Sequence, residues 1–418
     1  MNKQHPSSPS RGRFDGQTWL LLIVNALFAT AHALSGTFLG VYLWKSSGNF
    51  ALLGCFALIN HICMALTFWL AGHEVKQGRK MTVLRLGIAA SAVFYSLVLL
   101  FGSGAIRYIW LLGIVQGLAA GLFWLAFNTL YFEVTDADNR DRFNGFSGVT
   151  GALAGMIAPW CSGFVISRMQ AESGYRLIFM ISLGIFIAGA VISFFLRNRK
   201  TEGSYEWLLA PRVLREAHNP WRRVVLALAS QGLRESVFGL MIGLLIYIQT
   251  KSEMQLGNFT LLTSGISFVS FYVVGRWLKP AWREKGLLAG ALVMSAVVAP
   301  FFLGIKLGVM LTFGIGIGLF MPFYSIPMTS SVFDLIGRNE DSAKQRVEYI
   351  VMRELALNAG RILGMLAFIV TVSLSKSPST LTAFLFVIGC SPLLSWFFMR
   401  PLLARHASGR ASADPEPA

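Results

Sequence analysis

Twelve stretches of this chain are apolar for long enough to cross a lipid bilayer, and this repetition limits the fold more than any other feature. A helix of about 20 residues spans roughly 30 Å of hydrocarbon. Such runs occur at 17–44, 49–72, 81–101, 107–132, 144–167, 176–196, 222–250, 256–278, 286–305, 307–335, 347–374 and 380–399. Lipid offers the backbone no hydrogen-bond partner, so each run must be helical. The chain therefore reads as an all-α polytopic membrane protein, with 12 transmembrane helices in two six-helix halves. Composition agrees: 55% of the 418 residues are hydrophobic and 13% charged, far from a soluble domain of this length.

The formal net charge of +16 would suit nucleic acid, but its placement points elsewhere. With the N-terminus taken as cytoplasmic, 26 of the 36 Lys and Arg fall in the inner segments and seven in the outer loops. That imbalance predicts both termini inside and expects no nucleic acid as partner. Residues 1–16 form a polar cytoplasmic tail with no cleavable signal, and 17–196 the first six-helix bundle. Residues 197–221, polar and basic with Pro211 and Pro220, read as a cytoplasmic linker acting as a plain tether. Residues 222–400 form the second bundle, and 401–418 a disordered tail rich in Ala, Ser and Pro. Cys55, Cys63, Cys161 and Cys390 all lie in apolar runs without metal-site spacing, so they are expected to pack as small hydrophobes.

The halves repeat one another. Gln116–Phe123 in the fourth span aligns with Phe313–Phe320 in the tenth, and each run leads to an acid near the inner end, Glu133 and Asp334. Gly36 and Gly40 of the first span align with Gly239 and Gly243 of the seventh, which sets His32 opposite Glu235. Parallel halves are the signature of an alternating-access transporter.

The eleventh run carries charge well inside it: V-E-Y-I-V-M-R-E-L-A-L-N-A-G-R-I-L-G over 347–364. Glu354, Asn358 and Arg361 recur at i, i+4 and i+7, one face of a helix. Intramembrane charge is costly and faces a protein interior or a watery cavity. The mid-span ionisable residues are His32, His61, Arg234, Glu235, Arg353, Glu354 and Arg361. One account makes them structural ion pairs between helices; the other makes them a substrate or proton site. Three Arg against two Glu leave one guanidinium over, and its planar fork suits carboxylate or phosphate. An anionic substrate is therefore expected, with Arg361→Ala or Arg353→Ala weakening its binding. Glu235 and Glu354 are the candidate proton carriers. Asn128, Trp124 and Tyr324, on the repeat-related fourth and tenth spans, are candidates to line an amphipathic pocket. No catalytic triad, metal cluster or nucleotide motif points to an enzyme or a cofactor.

Short motifs add a resemblance. After the second span, Ala71-Gly-His-Glu-Val75-Lys76-Gln77-Gly78-Arg79-Lys80 resembles the G-x-x-x-D-R-x-G-R-R loop of the major facilitator superfamily, with Val75 at the acidic position. The repeat partner keeps Gly275 and has Lys279 there. Gly113-Ile-Val-Gln116-Gly117-Leu-Ala119-Ala120 is similar to the family's fourth-span R-x-x-Q-G-x-G-A-A, with glycine replacing the arginine linked to proton coupling. Gly145, Ala154, Ala158, Pro159, Ser162 and Gly163 follow the fifth-span antiporter pattern. The resemblance implies gating roles for Gly78, Arg79, Lys80, Gly145, Pro159 and Gly163, and alternating access. The reading is a proton-coupled exporter of an organic anion or amphipathic small molecule, in the cell inner (cytoplasmic) membrane. Its partners are that substrate, protons and the lipid bilayer. Uptake symport, a lipid-like substrate, or a non-transporting receptor on the same scaffold are the alternatives.

Overall fold

The computed structural model describes residues 14–134, 140–169, 171–197, 204–336 and 344–407. Among these, ten helical segments are long and apolar enough to cross a membrane, and one of them, Phe50–Val134, is 85 residues long. It folds back on itself as three helices, Phe50–Glu74, Lys80–Phe101 and Ile109–Val134, so the described chain makes twelve crossings. The others are Gly16–Ser47, Arg140–Arg168, Ala171–Ser193, Trp221–Thr250, Glu253–Trp277, a ninth begun by Arg283–Ala296, Leu307–Ile336, Arg346–Leu374, and a twelfth made of Pro378–Gly389 and Ser391–Ala407.

Three expectations need correction. The ninth span stops being α-helical at Val297 and continues as a 3-10 turn, Ala299–Leu303, where Pro300 lacks the N–H that the helix would need. The last helix runs on to Ala407, into the stretch expected to be a disordered tail; residues 1–13 and 408–418 lie outside the described residues. The linker is more than a tether. It contains a short helix, Leu209–Arg215, and an aromatic tongue that docks on the ends of the second and eleventh spans.

That tongue is Tyr205-Glu206-Trp207. The Tyr205 hydroxyl donates to the Trp69 carbonyl at 3.2 Å, and the Trp69 indole N–H donates to the Trp207 carbonyl at 3.4 Å. Trp207 stacks on His73 with centroids 5.3 Å apart. Tyr205 fits because residue 72 is glycine: a Cβ there would lie 2.6 Å from the phenol oxygen. Burial, and then the nearby Glu348 carboxylate, push the Tyr205 phenol above its ordinary value, which keeps it a donor. Glu206 accepts from Gln345 at 3.0 Å and from Arg212 at 2.7 Å.

The two halves repeat in their packing. Gly113 and Gly117 of the fourth span lie against Phe56 and Asn60 of the second, as Gly314 and Gly318 of the tenth lie against Phe259 and Thr263 of the eighth. Gly87 meets the Phe123 backbone as Gly290 meets that of Tyr324. Lys80, at the start of the third span, pairs with Glu133, and Arg283, at the start of the ninth, pairs with Asp334 at 2.7 Å. These contacts shift the fourth-to-tenth alignment by one helical turn from the one read in sequence. A period-four glycine pattern on a helix fits itself again one turn along, so contacts are needed to choose the register.

The first six spans meet the last six at both ends. On the side carrying the linker, Phe132 faces Phe333 with centroids 5.5 Å apart, and the second span runs along the eleventh. On the opposite side the fifth span lies on the eighth: a Cβ on Gly163 would come 2.7 Å from the Glu253 carbonyl, and one on Gly257 3.1 Å from that of Pro159. Lys45 of the first span reaches Glu253 at 2.9 Å, and the Tyr175 hydroxyl donates to the same carboxylate at 3.2 Å.

Candidate functional site

The charged residues of the seventh and eleventh spans do meet, because those two helices cross at unusually short range. Gly232, Gly360 and Gly364 form the seam, and small residues let helix backbones approach. At its centre, Arg361 donates to one Glu235 oxygen through Nη2 at 2.8 Å and through Nε at 3.3 Å. The other Glu235 oxygen accepts from the Gln231 amide at 2.6 Å. Arg361 also donates to Asn358 Oδ1 at 3.3 Å and lies 3.9 Å from Glu354. The Glu354–Asn358–Arg361 face read from spacing is thus a connected network. Arg353 donates to the other Glu354 oxygen at 2.5 Å, and its guanidinium lies 5.5 Å from the Phe333 ring centre.

Arg234 is different. It is 7% exposed, with Nε and Nη2 lacking a hydrogen-bond partner and its guanidinium 4.7 Å above the Phe238 ring. Its neighbour Glu235 is committed to Arg361 and Gln231. The guanidinium left over in the charge count is therefore this one, where sequence reasoning had looked first to Arg353 and Arg361.

The other candidates sit elsewhere. Tyr324 is buried among the last six spans; its hydroxyl donates to Ser395 at 2.8 Å, and Ser395 donates to the Ala227 carbonyl at 2.9 Å. That arrangement is packing between the seventh, tenth and twelfth spans. His32 and Trp124 instead border one cavity of about 240 Å³ inside the first six spans, with Asn60 and Gln116 in the same wall. Asn128, one turn beyond Trp124, is half-buried. His61, on the second span, is partly buried with no hydrogen-bond partner at Nδ1, and it lies within electrostatic reach of Arg361 at the edge of the charged cluster.

Comparison with known proteins fits this architecture. The family profile of the Major Facilitator Superfamily matches residues 21–343. This chain belongs to the major facilitator superfamily. It is 38% identical over 391 residues to "Uncharacterized protein YqgE" of Bacillus subtilis (strain 168), covering 93% of this chain and 90% of that one. Solved structures of like fold include a bacterial homologue of the iron transporter ferroportin, outward-facing, at TM-score 0.65 and 16% identity over 92% of this chain and 98% of that one. A D-xylose-proton symporter superposes at TM-score 0.68 and 14% identity, over 91% and 96%. The human organic anion transporter MFSD10 (TETRAN) does so at 0.65 and 14%, over 92% and 100%. At these identities the structures establish the fold alone, that of a multi-pass membrane protein.

Against the superfamily motifs, the contacts show what each departure does. Gly113, where the fourth-span motif has arginine, is pressed on the second span; even a Cβ would stand 3.0 Å from the Phe56 carbonyl, leaving no room for a longer side chain. In the loop after the second span, Gly78 has φ +83°, a left-handed conformation that glycine adopts without penalty. Arg79 pairs with exposed Glu74 at 2.8 Å, and Lys80 is buried against Glu133 within its own half. The residue that crosses between halves is one that motif reading passed over: Lys76, which reaches Glu348 of the eleventh span at 3.0 Å and donates to the Lys344 carbonyl at 2.5 Å.

In the fifth span, Pro159 and Gly163 pack on the eighth span, and Ser162 donates to the Leu34 carbonyl at 2.8 Å. Among the described residues, no atom outside the helix lies within 4 Å of where a Gly145 Cβ would stand. Of the small-residue face, the Pro159–Gly163 stretch makes the contact with the eighth span.

Glu348 is 3% exposed, so removing its cation strands a buried carboxylate, at a cost of about 3–5 kcal/mol. Lys76→Met should therefore loosen the linker-side contact between the second and eleventh spans. A single cysteine placed at Val351 in a cysteine-free background should then react several-fold faster with a membrane-impermeant maleimide. An unchanged rate would remove Lys76 from the gate.

Proposed function

We propose that this protein is a secondary active transporter that exports an organic anion, or an amphipathic molecule bearing an anionic group, in exchange for protons. It works by alternating access across a cytoplasmic membrane, with both termini on the cytoplasmic side. The observation that carries the reading is the charge balance of the seventh and eleventh spans. Three guanidinium groups share two carboxylates, and Arg234 is left buried with two nitrogens unpaired. A buried unpaired cation is costly, and an anionic substrate is the partner that would relieve it.

Glu235 is the better placed proton carrier. Its side chain is 31% exposed against 8% for Glu354, so water can deliver a proton to it, and protonation would release Arg361. Export, rather than uptake, is favoured by the likeness of the fifth span to the antiporter pattern.

The test uses purified protein in liposomes with a trapped pH indicator. 2-Naphthoate and a quaternary ammonium of similar size are added to wild type, Arg234→Gln, Arg234→Lys, Glu235→Gln and Glu354→Gln. Opposed anion and proton movement is expected in wild type, with proton movement lost in Glu235→Gln. Anion affinity should fall at least tenfold in Arg234→Gln and partly return in Arg234→Lys. Co-directional movement would make the protein a symporter. Binding without any flux would make it a receptor on a transporter scaffold, and a preference for the cation would overturn the anionic substrate.

A further inference from the structure

The cavity inside the first six spans is a separate feature from the charged cluster, and its wall has a different chemistry. Five aromatic rings surround it: Phe28, Phe94, Tyr95, Trp124 and Phe186. They brace one another. Phe186 stacks on Tyr95 with centroids 5.5 Å apart, and Phe28 meets Phe186 edge-on at 5.5 Å and Trp124 edge-on at 5.9 Å. Between the rings the wall offers the imidazole of His32 and the amides of Asn60 and Gln116. Ser91 contributes little, since its hydroxyl is spent on the Gly87 carbonyl at 3.0 Å. His32 is exposed although it sits at mid-span, because its ring borders this space.

We propose that this cavity binds an uncharged aromatic molecule of one or two rings that carries a hydrogen-bonding group. Size, charge and shape each contribute. A cavity of about 150 Å³ suffices for benzene in another protein, so about 240 Å³ takes one ring or two fused rings. No Lys, Arg, Asp or Glu lies in the wall, so an ion there would find no counter-charge among the lining side chains. Trp124, 36% exposed, offers its ring to a planar occupant, while Phe94, Tyr95 and Phe186, each 2% exposed or less, back the wall behind it. Each amide both donates and accepts, which suits a phenol, indole or aromatic amide over a plain hydrocarbon. The site is read without reference to transport, so it stands whether or not the anion-export reading does.

The experiment is equilibrium dialysis of full-length protein in nanodiscs against protein-free nanodiscs, with radiolabelled 2-naphthamide, 2-naphthoate and 9-anthracenecarboxamide. Saturable 1:1 binding of 2-naphthamide is expected. Affinity should fall at least tenfold in Ala120→Phe, which fills the cavity, and in Gln116→Leu, which removes an amide without adding bulk. The three-ring amide should not compete. The charged cluster is untouched by both variants, so any 2-naphthoate bound at Arg234 should persist in them. Uptake of 2-naphthamide no greater than in protein-free discs would mean a cavity holding water only. Saturable binding unaffected by either variant would put the site elsewhere. 2-Naphthoate binding that both variants abolish would overturn the uncharged class. Should Ala120→Phe fail to fold, Gln116→Leu decides alone.

Discussion

Arg361→Ala should abolish transport and also lower the stability of the protein, and a companion double variant should separate the two effects. Arg361 holds Glu235 through two nitrogens, at 2.8 and 3.3 Å, and steadies Asn358. Removing it leaves Glu235 and Glu354 on one helix seam with Arg353 alone beside Glu354. Breaking a fully buried pair by deleting one partner costs about 3–5 kcal/mol; the cost is lower here because Glu235 is partly exposed, and neutralising both partners costs less still. Arg361→Gln combined with Glu235→Gln should therefore recover most of the thermal stability lost in Arg361→Ala. Transport should stay absent, because the double variant has lost both the proposed proton carrier and the cation that answers to it. Melting curves in detergent and flux in liposomes are the two readouts. If transport returns with stability, the pair is a lock between helices and the proton site lies elsewhere.

What the sequence discloses and what it hides divide along a physical line. Twelve crossings were legible because the bilayer fixes helix length and forbids exposed backbone. The Glu354–Asn358–Arg361 face was legible because helical spacing is local. Contacts between distant segments were not. Lys76 counted only as one more positive charge near a membrane face, and nothing within its own loop marks Glu348, 272 residues away, as its partner. Lys45 and Glu253 were hidden in the same way. The repeat register failed by one turn because glycines at every fourth position look alike after a one-turn slip. The tongue did leave a trace: Tyr205 and Trp207 are bulky aromatics in an otherwise polar linker, and such residues tend to be covered. The cavity inside the first six spans left only a partial trace, in Trp124 as a candidate pocket residue and His32 as a mid-span ionisable one. His32, Asn60, Gln116 and Trp124 come from three helices, and only their convergence makes a site.

Gly360→Leu should damage the protein more than any other substitution on the seam. An added Cβ at Gly360 would stand 1.9 Å from the Ala229 carbonyl oxygen, and one at Gly232 would stand 2.1 Å from that of Leu357. Both obstacles are backbone, so neither can swing aside as a side chain could. Replacing a mid-helix glycine ordinarily gains up to about 1 kcal/mol, but here the two helices would have to separate. Overpacking of this kind costs about 3 kcal/mol or more, and separation also stretches the Glu235–Arg361 contact that the seam brings together. Gly145→Leu is the control, since nothing outside the helix among the described residues lies within 4 Å of the Cβ position there. Fluorescence-detected gel filtration after heating should show Gly360→Leu aggregated at temperatures where wild type and Gly145→Leu remain monodisperse. A Gly360→Leu protein as stable as wild type would mean that the seventh and eleventh spans do not touch at this point. The charged cluster would then lose the close crossing that assembles it.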